Sequence, residues 1–96
     1  MFKEIEPKKV QEMQEEGFVN VVDIRDSNSY STGHIPNSVL LNDANVKEYI
    51  ETTDKEKPLV VCCYHGNSSR GAAEYFSQQG FKEVYSMTGG YAAWPA

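Results

Sequence analysis

Cys63 stands at the entrance of the polar segment Tyr64-His65-Gly66-Asn67-Ser68-Ser69-Arg70, directly after the apolar run Leu59-Val60-Val61-Cys62. The run is short and β-branched at its centre, as a buried parallel strand is. Gly66, Asn67 and the two serines break that pattern and read as a turn. Ser69 to Gln79 then favours a helix with Ala72, Ala73, Tyr75 and Phe76 on its buried face, and Gly80 supplies the stop. A strand, turn and helix in this order leave backbone N–H groups unpaired at the helix start, where they can converge on one point. The helix dipole adds positive potential there. A sulfur at the mouth of the turn is therefore stabilised as a thiolate, with a pKa below the roughly 8.5 of free cysteine. Arg70 on the first helical turn would add a full charge. The expected chemistry is nucleophilic attack by Cys63 on a small anion. Cys62 alternates onto the other side of the strand and reads as a small buried hydrophobe.

The elements that must position this turn follow from the rest of the chain. Ile5 marks a short opening strand, and Pro7 suits the first position of a helix through Glu16, with Val10 and Met13 inward and Gly17 ending it. Its acidic cluster reads as a solvated face. Val19 to Ile24 is a buried strand closing on Asp23-Ile24-Arg25-Asp26. Residues just past the carboxyl ends of parallel strands line the ligand crevice of open α/β sheets, so Asp23 and Arg25 fall at the edge that holds Cys63. There they are expected to pair with each other or brace neighbouring loops. Asp26 caps a short helix through Tyr30. Gly33 is expected to be left-handed in the turn Gly33-His34-Ile35-Pro36, with His34 bonded to backbone rather than acting as a base. Ser38 to Leu41 is a third strand. Asn45 or Asp43 is expected to cap a helix carrying the stripe Val46, Tyr49 and Ile50. Glu83 to Met87 is the last strand, followed by a Gly89-Gly90 turn and a short helical cap that packs Tyr91 and Trp94 on the core. Repeated alternation of strand and helix implies an α/β fold, a parallel sheet covered by helices on both faces.

Ninety-six residues are read as one domain spanning 1–96, with 40% hydrophobic and 24% charged residues, ordinary for a globular chain. The net charge of −5 leaves no basic stripe for nucleic acid, though a small anionic substrate responds to the local field. No run is long and apolar enough to span a membrane, and no charged-then-apolar leader is visible. Neighbouring cysteines bridge only through a strained ring, which disfavours both a structural disulfide and a thiol-redox pair. Two adjacent cysteines with His34 and His65 do not make a zinc site, so no metal or other cofactor is expected. Two free thiols point to a reducing, cytoplasmic location.

The segment Cys63-Tyr64-His65-Gly66-Asn67-Ser68-Ser69 closely resembles the active-site loop of the rhodanese-fold sulfurtransferases, in particular the single-domain thiosulfate sulfurtransferases. Val22-Asp23-Ile24-Arg25, Gly33-His34-Ile35-Pro36 and Gly89-Gly90-Tyr91-Ala92-Ala93-Trp94 are similar to further motifs of that family, in the family's order. The resemblance implies a rhodanese-like three-layer α/β/α fold with a parallel sheet of about five strands flanked by helices. It also implies double displacement: Cys63 takes the outer sulfur of thiosulfate, sulfite leaves, and the resulting persulfide passes its sulfur to cyanide, a small thiol or a thioredoxin-like dithiol. Tyr64, His65, Gly66, Asn67 and Ser68 would contribute mainly backbone N–H groups, with the His65 side chain at the entrance. Ser69 would cap the helix or touch the substrate, Arg70 would bind the anionic end of the donor, and Asp23 and Arg25 would support the site. A second reading is a module that relays or binds persulfide for a partner protein. A third is a phosphatase or arsenate reductase of the same fold, whose Cys-x5-Arg loop clamps a tetrahedral oxyanion. Here Arg70 comes one residue too late, Ser69 occupies the clamp position, and Cys62 stands where the cell-cycle phosphatases carry histidine. The loop also differs from the Cys-Gly-Ser/Thr-Gly-Val-Thr pattern of the mercaptopyruvate branch.

Overall fold

The computed structural model describes residues 1–95. Five strands, β1 (Lys3–Ile5), β2 (Asn20–Asp23), β3 (Val39–Leu40), β4 (Leu59–Cys62) and β5 (Val84–Met87), alternate with four helices, α1 (Pro7–Glu16), α2 (Ser27–Thr32), α3 (Val46–Thr52) and α4 (Ser68–Gln78). A 3-10 turn, Tyr91–Ala93, follows β5. The strands form one sheet in the order β1-β5-β4-β2-β3, and every pairing is parallel. The α/β architecture read from the sequence is the one observed.

β4 lies at the centre, and all four of its residues are buried, which is why it is a continuous apolar run rather than an alternating one. Its side chains divide between two cores. Leu59 and Val61 join Ala73 and Phe76 of α4 and Ile50 of α3 on one face. Val60 and Cys62 join Val10 of α1, Ile35 and Met87 on the other, with Tyr91 and Trp94 packed against them. Phe76 is 2% exposed, and truncating it to alanine removes about 3–5 kcal/mol of stability. Among the described residues no helix is long and apolar enough to cross a membrane.

Three local expectations are corrected. Tyr75 is 46% exposed: α4 turns Ala73 and Phe76 to the sheet, which leaves Tyr75 at the border of an apolar groove shared with Ile24, Leu41 and Val46. Gly33 is extended, with φ 179°, and the left-handed residue of that turn is Asn37, with φ 67°. Gly33 is crowded by proximity, since a Cβ there would lie 2.8 Å from the Tyr91 hydroxyl and would push that side chain aside. Neither Asn45 nor Asp43 caps α3. The Asn42 Oδ1 accepts from the Ala44 and Asn45 N–H groups, and the Asn45 Oδ1 accepts from the Asn42 N–H, so these polar side chains close the loop instead. Asp26 does cap α2, accepting from the Ser29 N–H at 3.1 Å.

Candidate active site

Cys63 is the first residue past β4, and α4 begins five residues later. Alternation along β4 sends its side chain to the α4 side of the sheet, opposite Cys62. The intervening loop bends around the sulfur because Gly66 takes a positive φ of 89°. A Cβ at Gly66 would also approach the Gly89 nitrogen to 2.8 Å. The outer side of the loop is fastened by the C-terminal segment. The Tyr91 N–H donates to the Cys63 carbonyl at 2.7 Å, and the Ala92 N–H donates to the Tyr64 carbonyl at 3.0 Å. Gly90 makes that approach possible, since a Cβ there would lie 2.4 Å from the Tyr64 carbonyl carbon. Two carbonyls of the loop are thus engaged away from the sulfur.

Three donors converge on the Cys63 Sγ. The Gly66 N–H lies at 3.1 Å and the Ser69 N–H at 3.3 Å. The Ser69 Oγ lies at 3.2 Å and can donate to the thiolate. The Ser69 amide belongs to the first turn of α4, so the sulfur takes up one of the helix's orphan donors. Burial pushes the Cys63 thiol up, but hydrogen bonds from the Ser69 hydroxyl and from the Ser69, Gly66 and His65 backbones outweigh it, and its pKa falls below the ordinary value. Cys62 goes the other way: burial first, then the Asp23 charge, push its thiol up to about 12.

The sulfur faces a cleft of about 390 Å³ lined by Ile24, Arg25, Asp26, Tyr64, His65, Asn67 and Ser68. Cys63 itself is only 4% exposed, so the cleft admits a narrow end group rather than a bulky one. Arg25 enters from the end of β2. Its Nε and Nη2 bind the Asp23 carboxylate at 2.8–3.0 Å, and Nη2 also donates to the Gly33 carbonyl at 2.7 Å. The guanidinium lies 4.3 Å from the Tyr91 ring centroid and 5.6 Å from that of Tyr64. Hydrogen bonding to Asp23 raises the pKa of Arg25 still further, so the guanidinium in the cleft wall stays charged and paired with the Asp23 carboxylate. Tyr64 hydrogen-bonds Asp26, tying the loop to the start of α2 and holding the Asp26 carboxyl at a pKa of about 2, with Ser29 assisting.

The structure therefore gathers Cys63, Tyr64, His65, Gly66, Asn67, Ser68, Ser69, Asp23 and Arg25 at one edge of the sheet. It does not bring Arg70 there. The Arg70 side chain is 55% exposed and its Nε lies 3.7 Å from Glu4, toward β1. Arg25 is the cation that lines the cleft; one residue along a helix rotates a side chain by about 100°, and Ser69 holds the inward position while Arg70 is directed to Glu4. His34 donates from Nδ1 to the Tyr30 carbonyl, 2.8 Å away, and stacks on the Tyr30 ring, outside the cleft. Sequence reasoning passed over Ser86, whose Oγ is 2.7 Å from the Ser69 Oγ. Its signal was a lone hydroxyl in step with Val84 on an otherwise apolar face of β5.

Known proteins resemble this chain over nearly its whole length. The family described as the rhodanese-like domain matches residues 6–96. Thiosulfate sulfurtransferase GlpE of Pseudomonas savastanoi pv. phaseolicola is 47% identical over 95 residues, covering 99% of this chain and 89% of that protein. Thiosulfate sulfurtransferase GlpE of Pseudomonas aeruginosa is 48% identical over 93 residues, covering 97% of this chain and 84% of that one. Among solved structures, a rhodanese-related protein from Thermoplasma volcanium superposes with a TM-score of 0.80 at 28% identity, over 97% of this chain and 90% of that one.

Proposed function

Because this chain belongs to the rhodanese-like domain family, we propose that it is a thiosulfate sulfurtransferase working by double displacement through Cys63. The observation that carries the reading is the ring of two amides and one hydroxyl around the Cys63 sulfur. The Cys63 thiolate attacks the outer sulfur of thiosulfate. The sulfur–sulfur bond of the donor breaks, its electron pair leaves with sulfite, and a persulfide anion remains on Cys63. An acceptor nucleophile then attacks the terminal sulfur and restores the thiolate; cyanide leaves as thiocyanate. The charge balances in both half-reactions, so no general acid or base and no cofactor is required.

Each residue has a part. The Gly66 and Ser69 amides and the Ser69 hydroxyl hold the negative sulfur, in the manner of an oxyanion hole built for a larger atom. His65, Asn67 and Ser68 line the route of the outer sulfur and offer it their backbone N–H groups. Tyr64 anchors the loop against Asp26. Arg25 presents positive charge to the sulfonate end of the donor, with Asp23 orienting its guanidinium. The acceptor is a small thiol or a thioredoxin-like dithiol, with cyanide as its assay substitute. Two free thiols are consistent with a reducing, cytoplasmic setting. Arg70, which follows the clamp position of a phosphatase by one residue, faces Glu4, and Ser69 stands at that position.

Intact-mass measurement after brief thiosulfate treatment tests this reading. A gain of one sulfur atom, discharged by cyanide and absent from Cys63→Ala, is the expected result. An unchanged mass, with turnover of a small phosphate ester instead, would overturn it.

A further inference from the structure

Ser86 is 1% exposed in the middle of β5, paired with Val61 of β4 and Glu4 of β1. Neighbouring Val84, on the same face of β5, belongs to the apolar core beneath α4. The Ser86 Oγ meets one polar side-chain atom among the described residues, the Ser69 Oγ at 2.7 Å. The Ser69 Oγ in turn lies 3.2 Å from the Cys63 sulfur. These three atoms form a buried row with two links.

We propose that Ser86 is a positioning residue for the nucleophile: its hydroxyl donates to the Ser69 Oγ and so turns the Ser69 hydroxyl proton onto the Cys63 sulfur. Counting hydrogens supports this. With a thiolate, the row holds two hydrogens for two links: Ser86 donates to Ser69, and Ser69 donates to sulfur. With a neutral thiol it holds three, and one finds no partner within the row. A stranded buried donor costs free energy, so the row favours the deprotonated state. Without Ser86, the Ser69 hydroxyl loses the neighbour that fixes its rotor, and neighbouring hydrogen bonds in a row strengthen one another. The charged and titratable groups around the same sulfur are Arg25, Asp26, Tyr64 and His65, all on the cleft side. Among the described residues β5 presents none on the face that Ser86 occupies, and Arg70 of α4 is turned to Glu4. The proposal deepens the sulfurtransferase reading, which needs a thiolate at Cys63, but its test requires no sulfur donor.

The test follows the pH dependence of Cys63 alkylation by iodoacetamide in Ser86→Ala, Ser86→Thr, Ser69→Ala and the Ser69→Ala/Ser86→Ala double variant, with the modified peptide identified by mass. Ser86→Ala should move the midpoint up by about 0.5–1 pH unit, a loss of about 3- to 10-fold in rate on the acid limb. Ser86→Thr should stay near the parent midpoint. The double variant should titrate with Ser69→Ala, because Ser86 acts only through Ser69. Should Ser86→Ala fold poorly, Thr and Val at position 86 compare a hydroxyl with its isostere, and the shift should appear in Val alone. A parent midpoint in Ser86→Ala or Ser86→Val, or equal effects of Ser86→Ala with and without Ser69, would overturn the proposal. Loss of sulfur transfer with these titrations as expected would count against the choice of donor and leave the positioning role standing.

Discussion

Cys62 and Cys63 share a peptide bond and face opposite sides of one sheet. The sulfur of Cys62 lies among Val60, Met87 and Ile35, at 0% exposure, with the Asp23 charge nearby. The sulfur of Cys63 is almost as sheltered, yet it meets two amides and a hydroxyl. Burial alone penalises both thiolates. What separates them is the direction of the backbone in the next six residues. The comparison teaches that a nucleophile of this kind is built by turning peptide groups inward rather than by exposing a thiol. It also explains why the C-terminal Gly-Gly turn matters to a site far from it in sequence: it draws the loop carbonyls outward.

Substitutions on either side of the sheet test the difference between the two cysteines. The largest effect belongs to Cys63→Ser, which should reduce thiosulfate-to-cyanide transfer by at least about 1,000-fold, since an un-ionised hydroxyl replaces the covalent intermediate's anchor; thermal unfolding should show an unchanged midpoint. Gly90→Ala comes next. Its Cβ would sit 2.4 Å from the Tyr64 carbonyl, and φ there is 63°. Transfer should fall by about 10- to 100-fold and stability by about 1–3 kcal/mol, with Cys63 alkylation shifting to higher pH. Gly90→Ala with a parent alkylation profile would show that the outward pull on the carbonyls is dispensable. Cys62→Ser should cost about 1–3 kcal/mol, read in denaturant unfolding, because a hydroxyl enters an apolar core, while transfer stays within about twofold of the parent by the same separation of faces. Arg70→Ala should be smallest: an exposed pair with Glu4 contributes about 0–1 kcal/mol, and the thiosulfate KM should stay within about twofold. A larger rise in KM would return Arg70 to the cleft.

Much of this was legible in the sequence. The apolar run at β4, the Gly-Asn-Ser-Ser turn and the Ala-Ala-x-x-Phe face of α4 are local signals, and alternation alone placed Cys63 opposite Cys62. The Asp23–Arg25 pair was expected from the strand end. Other features depend on distances between remote residues. Arg70 was given to the donor because it stands on the first helical turn, but Glu4 of β1 is adjacent only once β1 docks beside β5. Gly33 reads as left-handed by residue type, yet its backbone is extended, and its neighbour in space is the Tyr91 hydroxyl, more than fifty residues away in the chain. Tyr75 fits the apolar stripe of α4, but the helix turns Ala73 and Phe76 to the sheet and leaves Tyr75 46% exposed. Ser86 shows locally only as a lone hydroxyl in step with Val84, and its meaning depends on the placement of Ser69 across the sheet.

The claim on which the rest depends is that inward peptide hydrogens make Cys63, and not Cys62, a thiolate near neutral pH. Its most direct measurement is the rate of iodoacetamide alkylation against pH, with the modified cysteine located by peptide mass. A folded-state pKa below the ordinary value means that the reactive, deprotonated fraction grows with pH and levels off early. Label should fall on Cys63 alone, with a midpoint below the roughly 8.5 of free cysteine. A midpoint at or above that value, or label shared with Cys62 in the folded protein, would contradict it.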